Sequence, residues 1–262
     1  MVIPRGIKFQ INAANSGPAR GYICECFSGH FRLPDLGPIG ANGLANVQDF
    51  KYPVADYEDS RETHVMLQKF LGKLFSAAVP HSPFDVVAWS GNYLPFKYSL
   101  KQFCAVNSVT FDHLDPSIFT VLTIPTSEPG VAALDFVVFP PRWAVQESTF
   151  RPPYYHKNCM SEFMGNIAGA YDAKPTGFSP GSASLHSIMV GHGPDANTYK
   201  AASDSKNAHF QGPVKMPEGS WSFMFETTYF LRLTQFAKEF QTDDKYHECW
   251  AGLPREFDPT RP

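Results

Sequence analysis

The chain has 262 residues, a formal net charge of -3 and an aromatic content of 15%, with 23 phenylalanines, 23 prolines and 19 glycines. This length allows one large domain or two smaller ones, and the composition favours short strands joined by loops over long helices. No lysine- and arginine-rich run indicates a nucleic-acid surface, and no apolar run has the length of a membrane span. We therefore expect no nucleic acid and no membrane among its partners.

The cysteines are five in number, and no two of them have the C-x-x-C spacing of a zinc or redox site. The N-terminal residues do not combine a charged segment with a following apolar segment, as a secretion signal does. We therefore expect a soluble, cytoplasmic protein.

Strands are predicted from the first residues onward. The segments GIKFQINA (6–13) and RGYICECF (20–27) alternate apolar and polar residues, which is typical of a strand with one buried face. Weaker strand signals follow at residues 63–69, 85–90 and 104–110.

The strand signal is stronger in the second half of the chain. Apolar, β-branched runs bounded by proline and glycine occur in SIFTVLTIP (117–125) and GVAALDFVVFPPRW (130–143). WSFMFE (221–226) alternates again, whereas TTYFLRLTQFAKE (227–239) has apolar residues at helical spacing. The fold class predicted is all-β, of the sandwich or barrel type, with one C-terminal helix.

A candidate site begins in RPPYYHKNCMSEFMG (151–165), which contains both His156 and Glu162. On one helix these two side chains would point about 240° apart around the axis. On one straight strand they would stand about 20 Å apart. The two can act together only if the chain bends between them, which we expect at residues 157–161.

A second histidine suits the same site. His192 lies between Gly191 and Gly193 in SLHSIMVGHGPDA (184–196), and flanking glycines let the backbone turn steeply. Together, His156, Glu162 and His192 are the ligand types of mononuclear non-haem Fe(II) oxygenases, in which coordination positions stay open for substrate and dioxygen.

Other interpretations of these residues remain open at this point. A histidine in a β protein is often a hydrogen-bonded core or surface residue. Zinc hydrolases also use two histidines and one glutamate. The H-E-x-x-H helix of zinc proteases is missing, because the only His-Glu pair, His247 and Glu248, is not followed by a second histidine at the required spacing.

Longer motifs favour the oxygenase interpretation. In chain order they are GPIGANGLAN, FDHLDPSIFTVLT, FPPRW, TFRPPYYHKNCMSEFMG, SLHS and HGPDA. Over nearly the whole chain, they resemble the homogentisate 1,2-dioxygenase family. The resemblance implies a cupin-like fold, with residues 1–101 as the remainder of an N-terminal β-sandwich domain, 102–255 as a jelly-roll catalytic domain and 256–262 as a loose tail.

The resemblance also implies roles for individual residues. His156, Glu162 and His192 would bind Fe(2+), and Tyr171 and His192 would contact the substrate, homogentisate. His113 of FDHLD would be the catalytic proton acceptor, which suits an imidazole that takes a phenolic proton near neutral pH. The reaction would use O2 to open the ring and give 4-maleylacetoacetate, in the breakdown of tyrosine and phenylalanine, in a homo-oligomer, a hexamer.

Two further residues are candidates for supporting roles. His186 would hold a metal ligand in place, although a plain packing role is equally compatible with its position. Arg151 would pair with the acetate group of the substrate, although an arginine in a proline-rich turn also serves as a structural brace.

The chain departs from the family pattern in two ways. WSGN has Ser90 where the family pattern has a histidine, and a hydroxyl cannot replace an imidazole in shaping a pocket. The family also has a long N-terminal part that precedes the residues matched here. The alternative to an active dioxygenase is therefore a truncated relative that binds metal or assembles with partners without turnover.

Overall fold

A computed structural model of the protein describes most of the chain. The described residues are 1–13, 17–35, 44–54, 58–85, 94–105, 116–144, 155–204, 206, 213–241, 243–255 and 259–260. His113, Arg151 and Ser90 lie outside these ranges, as do most residues of the strands predicted at 85–90 and 104–110.

The chain divides into two compact units. The first unit consists of Met1–Gln10 and Phe50–Tyr98, and the second consists of Ile11–Asp49 and Ser99–Pro262. The domain boundaries expected from the sequence stay a prediction.

The first unit contains an antiparallel hairpin of β1 (His64–Phe70) and β2 (Lys73–Val79). Leu71 and Gly72 connect the strands with φ angles of 47° and 76°. Two consecutive positive φ values are typical of a type I′ turn, whose twist matches that of the paired strands. Strand β1 confirms the strand predicted at 63–69.

The second unit contains the larger sheet. Its strands are β3 (Thr120–Pro125), β4 (Ala132–Phe139), β5 (Trp143–Ala144), β6 (Ser161–Ala168), β7 (Ala183–His186), β8 (Val214–Lys215) and β9 (Trp221–Thr227). Five of them form an antiparallel sheet in the order β3-β4-β9-β6-β7, and β5 pairs separately with β8. Strands β3, β4 and β9 confirm the strong strand signals, and the all-β, cupin-like fold class is confirmed.

One face of the five-stranded sheet carries the core on which the candidate site rests. Val137 of β4, Met164 of β6 and Met224 of β9 form a buried cluster with Phe119 and Phe178. Alternate residues of a strand share a face, so Glu162 and Met164 point to the same side of β6. The candidate site therefore lies on the core face of the sheet.

The opposite face is aromatic and is covered by an N-terminal segment of the second unit. Tyr22 packs with its ring centroid 4.5 Å from that of Phe223 and 6.4 Å from that of Phe163. Cys26 and Phe31 pack against a second buried cluster on Ile124. These contacts support the sheet on the face opposite the candidate site.

Gly165 of β6 gives a test of this packing. A Cβ atom at Gly165 would overlap the ring of Phe223 and lie 3.1 Å from Cζ of Tyr22. Overpacking a core costs about 1–3 kcal/mol. We expect Gly165→Ala to lower the midpoint of thermal unfolding by roughly 2–12 °C, at about 2–4 °C per kcal/mol. In the control Gly219→Ala, the new Cβ would meet nothing within 4 Å, and an equal loss in both variants would contradict the packing described.

The two N-terminal strand predictions were wrong. The described residues of 6–13 and 20–27 form no strand. In 20–27 the alternation arises because Tyr22 and Cys26 pack their side chains onto the sheet, without the backbone hydrogen bonds of a ladder. In 6–13 the apolar side chains are exposed, so the alternation marks no buried face.

The C-terminal helix is shorter than predicted. It is α2 (Gln235–Glu239), which follows α1 (Ala196–Ser203), a helix that the sequence pattern did not reveal. Thr227 belongs to β9, where it pairs with Ser161 of β6, and its buried hydroxyl donates to the carbonyl oxygen of Ala133 in β4. Thr234 is the N-cap that begins α2 and accepts a hydrogen bond from the amide of Ala237. Neither helix, and no other helix in the described ranges, is long and apolar enough to cross a membrane.

Candidate metal centre

The backbone brings two of the predicted ligands together. His156 and His192 face each other in an isolated antiparallel bridge, with hydrogen bonds of 2.7 Å and 2.8 Å between their amides and carbonyls. Their imidazole centroids lie 4.5 Å apart. Two residues that are distant in sequence therefore present their side chains to one place.

Asn158 produces the bend that the sequence demands between His156 and Glu162. Its Oδ1 atom accepts the amide of Met160 at 2.9 Å, which closes a turn just before β6 begins. Its Nδ2 atom donates to Oε1 of Glu162 at 2.7 Å. The same amide group thus shapes the chain and holds the carboxylate.

The three predicted ligands converge. One ligand atom from each of His156, Glu162 and His192 lies within 4.8 Å of the other two. Within the described ranges this is the one group of three histidine, cysteine or acidic residues with such a spacing. The side chains of Glu162 and His192 are buried, with residue exposures of 4% and 3%.

The hydrogen bonds of His192 fit a metal ligand. Its Nδ1 atom lies 2.9 Å from the carbonyl oxygen of Val190, so this nitrogen donates and a neutral ring has its lone pair on Nε2. Nε2 lies 3.0 Å from Oε1 of Glu162, yet it is buried without a hydrogen-bond partner. Two buried atoms with facing lone pairs repel each other unless a proton or a cation lies between them. The pair of imidazoles and the carboxylate are therefore suited to a divalent metal ion.

The charges of the site support the same conclusion. Burial opposes ionisation of Glu162, but the neighbouring imidazoles of His186 and His192 and the amide that Asn158 donates hold the pKa of this carboxyl well below its ordinary value. Burial also disfavours a charged His192, yet the neighbouring carboxylate raises the pKa of its imidazole. Glu162 is thus an anion at neutral pH, and a metal bound here has to displace any proton that His192 holds.

Known families match both parts of the chain. Family models for the N-terminal and C-terminal parts of homogentisate 1,2-dioxygenase match residues 1–100 and 101–257. The chain belongs to the homogentisate 1,2-dioxygenase family. This confirms the family resemblance of the sequence motifs.

Curated relatives agree with the family models. Proteins named homogentisate 1,2-dioxygenase are 60% identical in Dictyostelium discoideum, over 96% of this chain, and 53% identical in Drosophila melanogaster, over 99%. A bacterial relative of the same name, from Bradyrhizobium diazoefficiens, is 54% identical over 100% of this chain. The chain spans 57% of the length of the Dictyostelium and Bradyrhizobium proteins and 58% of the Drosophila protein.

His186 lies beside the three ligands. It pairs with Glu162 across β7 and β6, and its Nδ1 atom is 3.8 Å from Oε2 of that residue. Its ring stacks on His192 at 4.5 Å, and its Nε2 atom lies 3.1 Å from the hydroxyl of Tyr246. Burial lowers the pKa of His186, so its ring is neutral at pH 7. This position suits the supporting role for which His186 is a candidate from the sequence.

Tyr171 lies at the edge of the buried core rather than among the ligands. Its ring is half-buried against Phe139 and Phe178, with centroids 5.7 Å and 6.0 Å away. Burial raises the pKa of its hydroxyl, and the charges of Asp172 and Glu162 raise it further. The hydroxyl therefore remains protonated and can donate. Its contact with homogentisate, like the roles of His113 and Arg151, stays a prediction.

Sequence reasoning missed three residues that support the site. They are Asn158, Tyr246 and Trp250. Asn158 could have been found, because a short amide side chain just before a strand often accepts from the backbone two residues on. The other two carry no local signal, since their contacts with the site span long stretches of sequence.

Asn158→Ala is expected to weaken metal binding by about tenfold, as the loss of a residue that orients a ligand typically does. The lost turn should also cost about 1 kcal/mol of unfolding free energy. Metal titration and thermal unfolding measure the two effects. Asn158→Ser keeps an acceptor for the amide of Met160 but has no amide group for Glu162. It should recover stability and leave metal affinity weak; recovery of both would contradict the orienting role.

Proposed function

We propose that this chain carries the Fe(2+) site of a homogentisate 1,2-dioxygenase and opens the ring of homogentisate with O2 to give 4-maleylacetoacetate. The observation that carries the proposal is the convergence of His156, Glu162 and His192 in a member of this family. The names of the curated relatives supply the reaction class and the substrate. The reaction would serve tyrosine and phenylalanine catabolism.

Iron is proposed as the metal because of the donor set and the reaction. Two imidazoles and one carboxylate suit Fe(2+) in oxygenases, and the H-E-x-x-H motif of a zinc protease is missing from the sequence. Zinc has no redox chemistry, so it is poorly suited to a reaction that consumes O2. When bound, Fe(2+) would supply a coordination sphere shared by the dihydroxylated ring and dioxygen.

The protein residues would bind the substrate and take its proton. His113 is the proposed proton acceptor for a phenolic hydroxyl, and Arg151 is the proposed partner of the acetate group. The protonated hydroxyl of Tyr171 can donate to a substrate oxygen, since burial keeps its pKa high. The rings of Phe139 and Phe178 beside it would keep water from that side.

The partners follow from the same proposal. They are homogentisate and O2, with neither nucleic acid nor a membrane, in a homo-oligomer that we propose to be a hexamer. Measurement of the mass in solution tests the assembly. The cytoplasmic location stays a prediction. The alternative of a relative that binds metal without turnover is not favoured by the similarity to proteins named as dioxygenases.

The proposed function is tested by loading the purified chain with Fe(2+) without oxygen and then admitting air and homogentisate. We expect O2 uptake equal to the homogentisate consumed and the appearance of product absorbance. The same chain loaded with Zn(2+) is the matched control and should take up no O2. Stoichiometric iron binding without O2 uptake would overturn the dioxygenase proposal and support the metal-binding alternative.

A further inference from the structure

A short C-terminal 3₁₀ helix, Tyr246–Trp250, packs beside the candidate metal centre. The ring of Tyr246 is nearly parallel to that of His186, at 5.9 Å and 11°, and His186 is in turn nearly parallel to His192, at 4.5 Å and 13°. Trp250 packs edge-on against His186 and donates its Nε1 proton to the carbonyl oxygen of Gly193 at 2.9 Å. The helix thus contacts His186, whose ring stacks on that of His192, and Gly193, which follows His192 in the chain.

The hydroxyl of Tyr246 is placed to decide which nitrogen of His186 carries the proton. It lies 3.1 Å from Nε2 of His186, within hydrogen-bond distance. A tyrosine proton directed at Nε2 leaves the proton of the neutral ring on Nδ1.

The other nitrogen of His186 faces the carboxylate of Glu162. Nδ1 lies 3.8 Å from Oε2 and is buried without a hydrogen-bond partner. A neutral ring with its proton on Nδ1 attracts this oxygen, whereas a ring with its proton on Nε2 turns a lone pair towards it. A tyrosine that donates to Nε2 therefore selects the tautomer of His186 with its proton on Nδ1, and this tautomer attracts Oε2 of Glu162.

The orientation of Glu162 depends on both of its oxygens. Asn158 donates to Oε1, and Oε1 is the oxygen that lies 3.0 Å from Nε2 of His192. With Oε2 held by His186, the carboxylate cannot rotate away from the other two ligands. Residues that orient a ligand in this way raise metal affinity because the site needs less ordering when the ion binds.

We propose that Tyr246 is a positioning residue of the metal centre: its hydroxyl donates to Nε2 of His186, which holds that ring with its proton on Nδ1 and keeps Glu162 turned towards His192. This inference rests on the metal site proposed above and deepens it. Tyr246 acts through His186 and needs no contact with substrate.

The first test uses the unmodified, metal-free chain. With ¹⁵N-labelled histidine, long-range proton–nitrogen spectra report which ring nitrogen carries the proton, and the signals of His186 are identified by their loss in His186→Gln. We expect a proton on Nδ1 of His186. A proton on Nε2 in the unmodified chain would overturn the proposal, and this result needs no folded variant of Tyr246.

The second test removes only the hydroxyl. Tyr246→Phe keeps a ring beside His186, and we expect the affinity for Fe(2+), measured without oxygen, to fall by about tenfold with the Nδ1 proton of His186 partly lost. Tyr229→Phe is the matched control, because the hydroxyl of Tyr229 is also hydrogen-bonded, to Oγ of Ser28 at 3.2 Å. It should leave both readouts unchanged. Unchanged affinity and an unchanged ring form in Tyr246→Phe would overturn the proposal.

Neither test uses homogentisate, so the results separate this inference from the proposed function. A chain that binds metal and shows both effects of Tyr246→Phe, but consumes no O2, would support the positioning role and overturn the dioxygenase proposal. A chain that binds no divalent metal would overturn the positioning role itself.

Discussion

Glu162→Gln is expected to weaken Fe(2+) binding by about 1000-fold and to abolish the proposed ring cleavage. Glu162 is the one carboxylate among the three converging residues, and it is ionised because His186, His192 and Asn158 hold its pKa low. Even a single unit of opposite charge about 4 Å away is worth about 4 kcal/mol at an effective dielectric constant of 20. At about 1.4 kcal/mol per factor of ten, this corresponds to three orders of magnitude in affinity.

The matched control for this variant is Glu248→Gln. Glu248 also lies beside a cationic group, with Oε1 3.8 Å from Nζ of Lys245, but its side chain is 58% exposed. Metal titration without oxygen, followed by O2 uptake with homogentisate, should separate the two variants. Affinity within about tenfold of the unmodified chain in Glu162→Gln would show that the metal binds elsewhere. Thermal unfolding of both metal-free variants checks that the loss is not one of folding.

The ligand types of the site were predictable from the sequence, but their convergence does not follow from local pattern alone. His156 and Glu162 stand too far apart on any single helix or strand, and Gly191 and Gly193 mark a sharp turn at His192. These observations predict a bend. They do not say which segments become neighbours, because the bridge between His156 and His192 is a contact between distant parts of the chain. The family resemblance supplied that step.

Strand prediction succeeded in β3 and β4, where an apolar run is bounded by proline and glycine, and in β9, where apolar and polar residues alternate. The same alternation at 6–13 and 20–27 was misleading, because those residues form no strand. Strand β6 was missed although it carries Glu162, because both its faces are covered in the sheet and it contains Glu162, Gly165 and Asn166. Buried polar residues hide a strand from any search for apolar periodicity. These residues of β6 form the candidate site or hold the sheet together. The strand that positions the site is therefore the one that its sequence pattern predicts least well.

The buried amide of Asn166 shows how much β6 depends on such residues. Its Nδ2 atom donates to the carbonyl oxygens of Gly169 at 2.9 Å and Phe178 at 2.6 Å, and its Oδ1 atom accepts from the hydroxyl of Ser222 at 3.3 Å. Asn166 is fully buried. One side chain therefore ties β6 to the turn that follows it, to the core residue Phe178 and to β9.

Asn166→Asp is expected to lower the free energy of unfolding at neutral pH by at least about 4 kcal/mol. The variant has nearly the same shape, but a carboxylate oxygen replaces the amide that donates to two carbonyl oxygens. Each unsatisfied buried acceptor costs about 1–3 kcal/mol, and a buried charge costs more. The midpoint of thermal unfolding should fall by roughly 8–16 °C, at about 2–4 °C per kcal/mol.

The pH dependence and a matched control identify the cause of this loss. Burial and the facing carbonyls should raise the folded-state pKa of the new carboxyl above its unfolded value of about 3.9. The destabilisation is then smallest below about pH 4, where a protonated carboxyl can still donate one hydrogen bond, and grows as the pH rises above that value. Asn46→Asp makes the same replacement at a residue whose Oδ1 atom accepts a hydrogen bond from the amide of Gln48 at 2.9 Å, which a carboxylate oxygen can also accept. It should therefore leave the free energy of unfolding almost unchanged. A loss in Asn166→Asp that does not change with pH would assign the effect to altered packing rather than to the buried charge.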